Sequence, residues 1–368
     1  MKIGILTFHR TTNYGAALQA YALQQTLIGQ GHDAEIIDYN CKTIYSYYDY
    51  RVFYGAQSGK TRVGKLLRYP YNKATCARFA AFRAAYLRLS PECTEHDTLR
   101  AVEQRYDAVV SGSDQVWNPN AIFGDFDAYL LGTAQCRRIA YATSAGSVST
   151  WEPYLKAYWR LLHRFDAISV REEEMLAPTK RLAQKDVSLV LDPTLLLKRE
   201  DWSRVESREL PDDRLKNGYI LVYFLGKDPA IVQAARDAQE ATGLPLVTLG
   251  RRIGARDEVH PVTGPEEFLT LFRHASCVLT SSFHGTAFAV QYGRPFLVFG
   301  NGAYNGRMQT LLSALDLQER MMHGKDHTVM YALNAPIDWG RSGERLQEAR
   351  ERSLAFLRHA LEEPKKES

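Results

Sequence analysis

Residues 277–299 read CVLTSSFHGTAFAVQYGRPFLVF: an apolar strand, a turn that carries a histidine, a short helix and a second apolar strand. Strands joined through a helix run parallel, and parallel strands are apolar on both faces because helices cover both. The same alternation recurs along the whole chain. Residues 2–8, 34–39, 107–111, 139–143, 167–170 and 187–191 read as strands, and 15–30 as a helix in which Ala16, Ala20, Leu23 and Leu27 repeat at helical spacing. Further on, strands over 219–225, 246–249, 277–280 and 295–299 alternate with helices over 229–242, 265–274 and 285–291, and an amphipathic helix over 341–362 follows. This pattern predicts an α/β protein built on two largely parallel sheets.

A chain of 368 residues exceeds what one core usually serves. The expected division is an N-terminal domain over 1–205 with an insertion at 41–90, a C-terminal domain over 206–340, and a terminal helix and tail over 341–368. The polar stretch 198–217 is the expected linker. No apolar run approaches the ~20 residues of a membrane span. MKIGILTFHR enters a strand without a signal-peptide core, and the five cysteines show no CxxC spacing. A cytoplasmic protein without structural zinc is expected. The net charge of +4 is uneven: residues 41–90 hold ten Lys or Arg against one acid, Asp49, with eight tyrosines among them. That segment reads either as a solvated insertion whose tyrosines pack on the domain or as a contact for an anionic partner, a lipid surface ahead of RNA.

Ligands of open α/β sheets sit beyond the carboxyl ends of the strands. His284 has that address, at the start of a helix whose N–H groups and dipole favour an anion. The loop TFHRTTNYG at 7–15 lacks the GxGxxG dinucleotide fingerprint, which argues against a nicotinamide or flavin enzyme. His9, Asn13 and Tyr14 lie in it, and Asn13 reads equally well as a helix cap. SGSDQVWNP at 111–119 offers Ser113, Asp114, Gln115 and Trp117, the carboxylate, amide and aromatic groups that hold sugars, although tryptophan also fills cores. Arg171 ends a strand, where its fork suits a carboxylate or phosphate or else pairs with Glu173 or Glu174. Asn305 and Arg307 follow the strand after the His284 helix, Arg307 reading either as a donor cation or as an exposed helix start. Of the histidines, only His323 and His327 have HxxxH spacing, in a polar turn-rich stretch, so no metal site is expected.

SSFHGTAFAVQYGRPFLVF, with VVSGSDQVWNP, IAYATSAGS, ISVREEE, LVLDPTLLL and IGILTFHRTTNYGAALQAYAL, resembles the polysaccharide pyruvyl transferase family over roughly residues 1–320. The resemblance implies two Rossmann-like domains facing a cleft, as in B-type glycosyltransferases. It also implies transfer of a pyruvyl group from phosphoenolpyruvate to a sugar as a cyclic ketal, with no cofactor. On this reading His284 is the proton donor and Asp114 the base or orienter of the acceptor. Arg171, Arg307, Asn305, Ser282, Gly285 and Thr286 hold the donor. Asn13, Tyr14, His9, Ser113, Gln115 and Trp117 hold the acceptor. The partners expected are phosphoenolpyruvate and a lipid-linked sugar met at the inner membrane surface, and no nucleic acid. Two alternatives stay open at this point: a nucleotide-sugar glycosyltransferase of the same architecture, and a sugar-binding protein without turnover.

Overall fold

The computed structural model describes residues 1–45, 68–300, 305–322 and 329–362. The chain divides into two compact units, one of Met1–Leu196 joined by the chain from Arg350 onward, the other Leu197–Ala349.

The first unit holds six strands: β1 (Lys2–Leu6), β2 (Asp33–Ile36), β3 (Ala108–Ser111), β4 (Arg137–Thr143), β5 (Ala167–Val170) and β6 (Val187–Leu189). They form one sheet in the order β2-β1-β3-β4-β5-β6, and every pairing is parallel. β3, AVVS, is buried at all four positions, as a strand covered on both faces must be. The helix Tyr14–Gly29 is buried around most of its circumference, not only on the predicted Ala16–Leu27 stripe. Its two buried glutamines are therefore bonded: Gln19 donates to Thr7 Oγ1 at 2.9 Å, and Gln24 exchanges bonds with the Arg88 backbone at 2.8 and 3.0 Å. Within the basic segment, residues 46–67 lie outside the described residues, Arg62 and Lys65 among them. The helix Tyr69–Tyr86 packs Phe79 against Tyr14 and Phe82 against Tyr21, with ring centroids 5.2 and 6.2 Å apart.

The second unit repeats the architecture with β7 (Ile220–Tyr223), β8 (Leu246–Leu249), β9 (Glu258–Val259), β10 (Cys277–Thr280), β11 (Phe296–Phe299) and β12 (Met321–Met322). The order is β12-β11-β10-β7-β8-β9, again all parallel. β9 and β12, two residues each, escape a reading by periodicity because two residues show none.

Two expectations about chain organisation change. The polar stretch 198–217 is not an open tether: Trp202 and Val205 are completely buried and Leu215 nearly so, which folds it onto the second unit. The helix Trp339–Glu362 is not an appendage, since its second half is bonded into the first unit. Arg350 Nε donates to Leu195 O at 2.8 Å, the Leu191 N–H donates to Ser353 Oγ at 3.0 Å, and Gln30 donates to Leu354 O at 3.2 Å.

Candidate active site

Each sheet reverses its winding direction once, between β1 and β3 in the first unit and between β7 and β10 in the second. The strands' carboxyl ends open a crevice at such a switch point, and ligands bind there.

In the second unit, β10 ends at Thr280 and the helix Phe283–Gln291 begins three residues later, with Ser282 as its cap. Ser282 Oγ accepts from the Gly285 N–H at 3.4 Å, and Ser282 O accepts from the Thr286 N–H at 2.9 Å and from Thr286 Oγ1 at 3.1 Å. Thr280 Oγ1 ties the turn to the neighbouring strand: it donates to Tyr223 O at 2.7 Å and accepts from the Ser282 N–H at 3.1 Å. Gly285 allows this closeness, because a Cβ there would overlap Thr280 Oγ1 and stand 2.9 Å from Thr280 Cβ and 3.1 Å from Tyr223 Cδ1. His284, buried in the first turn, thus sits at the positive end of a helix dipole on the ligand edge of the sheet. β11 pairs parallel with β10, so the segment that follows it leaves from the same edge. There Asn305 precedes the helix Gly306–Ala314, its amide close enough to Gly300 that a Cβ would stand 2.8 Å from Nδ2, and Arg307 is half-buried in the first turn. Ser282, His284, Gly285, Thr286, Asn305 and Arg307 are therefore gathered at the ends of two adjacent strands.

In the first unit the loops after β1 and β3 flank the switch point, and the fates of their residues differ. Asn13 is half-buried and caps its helix, accepting from the Ala16 N–H at 3.2 Å. The Tyr14 ring is buried against Phe79. His9 does not face an acceptor, which corrects its assignment: Nδ1 lies 3.0 Å from Thr7 O and Nε2 lies 2.7 Å from Asp38 Oδ1, and the side chain has no exposed surface. Arg10 grips the same carboxylate through Nε and Nη2 at 2.7 and 2.6 Å. Burial alone would raise the Asp38 carboxyl, yet the bonds from His9 and Arg10 hold it well below the usual range.

Trp117 is also corrected. It is wholly buried among Trp151 and Phe165, and its carbonyl accepts from Trp151 Nε1 at 3.0 Å and Tyr158 Oη at 2.6 Å. A ring inside the core offers a sugar no face. Gln115 remains half-buried, accepting from Asn118 Nδ2 at 2.6 Å. Asp114 takes a left-handed backbone, φ 76°, and its carbonyl accepts from the Ser144 N–H at 3.0 Å.

Arg171 lies among three carboxylates: Nη1 is 2.5 Å from Asp192 Oδ2, Nη2 3.6 Å from Asp114 Oδ1, and Nε 3.6 Å from Glu172 Oε1. Burial opposes its charge, and the three acids more than offset that, raising its pKa. Ser113 Oγ donates to Asp192 Oδ2 at 2.9 Å, Thr194 gives Asp192 Oδ1 its N–H at 3.0 Å and its hydroxyl at 2.7 Å, and Ser144 donates to Glu172. Sequence reasoning gave Asp192, Glu172 and Ser144 no role, although LVLDPTLLL, ISVREEE and IAYATSAGS contain them. Their acids and hydroxyls after strands were the available signal. Among the described residues no group of three or more His, Cys, Asp or Glu side chains is arranged to hold a metal ion, and His323 and His327 lie outside the described residues.

Two parallel six-stranded units, each with polar loops at its switch point, define a two-domain α/β protein of the B-type glycosyltransferase architecture. Solved structures share that fold. S. aureus MnaA with UDP has a TM-score of 0.56 at 12% identity, covering 100% of this chain and 99% of that one. The UDP-GlcNAc 2-epimerase of Neisseria meningitidis bound to UDP-GlcNAc scores 0.52 at 10% identity over 98% and 99%. That of Methanocaldococcus jannaschii scores 0.51 at 13% identity over 95% and 99%. No curated protein sequence matches. The chain belongs to the polysaccharide pyruvyl transferase family, whose model matches residues 13–303.

Proposed function

We propose that the protein transfers the pyruvyl group of phosphoenolpyruvate to two hydroxyls of a sugar, in a polysaccharide or its precursor, as a cyclic ketal. The observation that carries this reading is His284, in the first turn of a capped helix at the β7–β10 switch point, in a chain of this family. The donor's phosphate and carboxylate suit the second unit, where Arg307 supplies a fork and the Ser282–Thr286 turn supplies a helix amino end. His284 gives a proton to the methylene carbon, making C2 electrophilic. One sugar hydroxyl adds to C2 and phosphate leaves. The second hydroxyl then closes the ring. Of the two hydroxyl protons, one balances the proton given to carbon and the other leaves with hydrogen phosphate.

Asp114, Gln115 and Asn13 in the first unit suit the acceptor. Three carboxylates share one guanidinium there, an excess of negative charge that suits uncharged hydroxyls and repels an anionic donor. Asp114 takes the hydroxyl proton or orients the hydroxyl. The basic segment 41–90 is read as the part that meets an acceptor carried on lipid. Among the described residues no helix is long and apolar enough to cross a membrane.

The test is incubation with phosphoenolpyruvate and a panel of lipid-linked and nucleotide-linked sugars, measuring phosphate and the mass of the sugar. Phosphate release matched by gain of a pyruvyl group is expected. Glycosyl transfer from a nucleotide sugar, or acceptor binding without phosphate release, would replace this reading.

A further inference from the structure

The loop after β3 carries two side-chain amides whose orientation the backbone settles. The Asn120 N–H donates to Asn118 Oδ1 at 3.0 Å. A backbone N–H can only donate, so Oδ1 is the atom on that side and Nδ2 is the one turned toward Gln115. Nδ2 donates to Gln115 Oε1 at 2.6 Å, which leaves Gln115 Nε2 on the far side of its amide. Asn118 is held in place. It is buried, its N–H donates to Gln115 O at 3.0 Å, and its carbonyl accepts from the N–H groups of Ala121 and Ile122 at 2.9 and 3.1 Å. One residue earlier, the backbone of Trp117 is pinned by Ser144, Trp151 and Tyr158. The loop after β4 comes close to the same two amides: a Cβ on Gly146, whose φ is 75°, would stand 2.7 Å from Gln115 Oε1 and 3.1 Å from Asn118 Nδ2. Gln115 itself is half-buried, and among the described residues nothing accepts from its Nε2. The loop thus fixes an N–H donor at its surface, next in sequence to Asp114, whose ionised carboxylate can only accept.

We infer that Asn118 is a positioning residue for Gln115: it holds the Gln115 amide so that Nε2 donates to an oxygen of the acceptor sugar, while the neighbouring Asp114 carboxylate accepts from a hydroxyl. A ligand that satisfies both presents an accepting and a donating oxygen side by side, as adjacent hydroxyls do, and a sugar lacking one of them leaves a fixed group unpaired. The sugar's part in this rests on the acceptor role given to the loop above; the orientation of the amides does not. Asn118→Asp keeps the volume and the oxygen that the Asn120 N–H needs, and replaces the donor facing Gln115 by a second acceptor. The Gln115 amide then turns over, donates inward and shows the ligand its carbonyl. In the transfer assay the KM for the sugar that gains the pyruvyl group should rise about tenfold, with the KM for phosphoenolpyruvate changed less than about twofold. In a Gln115→Ala background the same change should move the sugar KM by less than about twofold, because the group that Asn118 acts through is already gone.

An unchanged sugar KM in Asn118→Asp, a rise in the donor KM in its place, or full additivity with Gln115→Ala overturns the inference. Gln115→Glu leaves Asn118 intact and puts an oxygen where Nε2 was; it should raise the sugar KM about tenfold as well, and it provides the same comparison if Asn118→Asp does not fold. If the wild-type protein releases no phosphate from phosphoenolpyruvate with any sugar of the panel, it is the pyruvyl-transfer reading that fails. Hydrogen exchange of the side-chain amides, followed by NMR on the substrate-free protein labelled at Asn and Gln, then decides the positioning. The Asn118 amide should exchange at least about tenfold more slowly than that of Gln115, and Asn118→Asp should slow the Gln115 amide about tenfold. A Gln115 amide already protected in the wild type, or one that Asn118→Asp leaves unchanged, overturns it.

Discussion

Gly285→Ala tests whether the close seating of the helix Phe283–Gln291 on β10 and β7 is what places His284. In an unconstrained helix this change would stabilise by about 1 kcal/mol through propensity. Here the new methyl overlaps Thr280 Oγ1 and crowds Thr280 Cβ at 2.9 Å. Thr280 is a β-branched strand residue, not the end of a flexible chain, and turning it away breaks its bonds to Tyr223 O and from the Ser282 N–H. Two buried groups losing partners cost about 1–3 kcal/mol each, and shifting the helix instead costs about 1–3 kcal/mol of overpacking. Crowding therefore outweighs propensity, with a net loss of up to about 2 kcal/mol. The measurement pairs urea unfolding with the transfer assay. The midpoint should fall, and turnover should fall further than at an exposed control such as Gly343→Ala, where a Cβ meets nothing within 4 Å. Thr280→Ala added to Gly285→Ala removes the overlapping oxygen and should restore part of the midpoint. A Gly285→Ala protein as stable and active as wild type would show that the helix has room to move and that its seating does not set the histidine.

His284→Ala should lower pyruvyl transfer about 100- to 10,000-fold while leaving the melting temperature near wild type, and near-normal turnover would remove His284 from the mechanism. Arg307→Ala should weaken phosphoenolpyruvate binding in titration calorimetry, with Arg307→Lys restoring only part of it because a point charge cannot reproduce a fork; equal affinities would move the donor elsewhere. Burial pushes the Glu103 carboxyl from 4.5 up to about 7, against the opposing pull of Thr133 and Arg138. The folded chain then holds more protons than the unfolded one across that window, so this group's contribution falls as pH rises through it. Glu103→Gln, neutral throughout, should add up to about 3 kcal/mol at pH 8 and little near pH 4.5, and equal gains at both values would refute the cause. Arg62→Gln, Lys65→Gln and Arg68→Gln together should abolish salt-sensitive co-sedimentation with anionic vesicles, and binding indifferent to salt or lipid charge would leave segment 41–90 as an ordinary surface.

The sequence by itself determined the layers and the address of His284. Runs such as ILVY and FLVF can only be strands covered on both faces, the helices between them enforce parallel order, and SSFHG marks a capped turn at a strand's carboxyl end. These are properties of neighbouring residues, and each strand read from the sequence is observed within a few residues of its expected bounds, β9 and β12 being the two that periodicity missed. Only the tertiary structure decided which polar and aromatic side chains a ligand reaches. Trp117, His9 and Arg171 follow strands just as His284 does, yet the first is sealed between Trp151 and Phe165, the second is held by Thr7 and Asp38, and the third is surrounded by acids from Asp114 to Asp192. Those partners come from segments far apart in the chain. Burial and pairing depend on which segments the sheet order brings together, and a period read along one segment carries no information about the others.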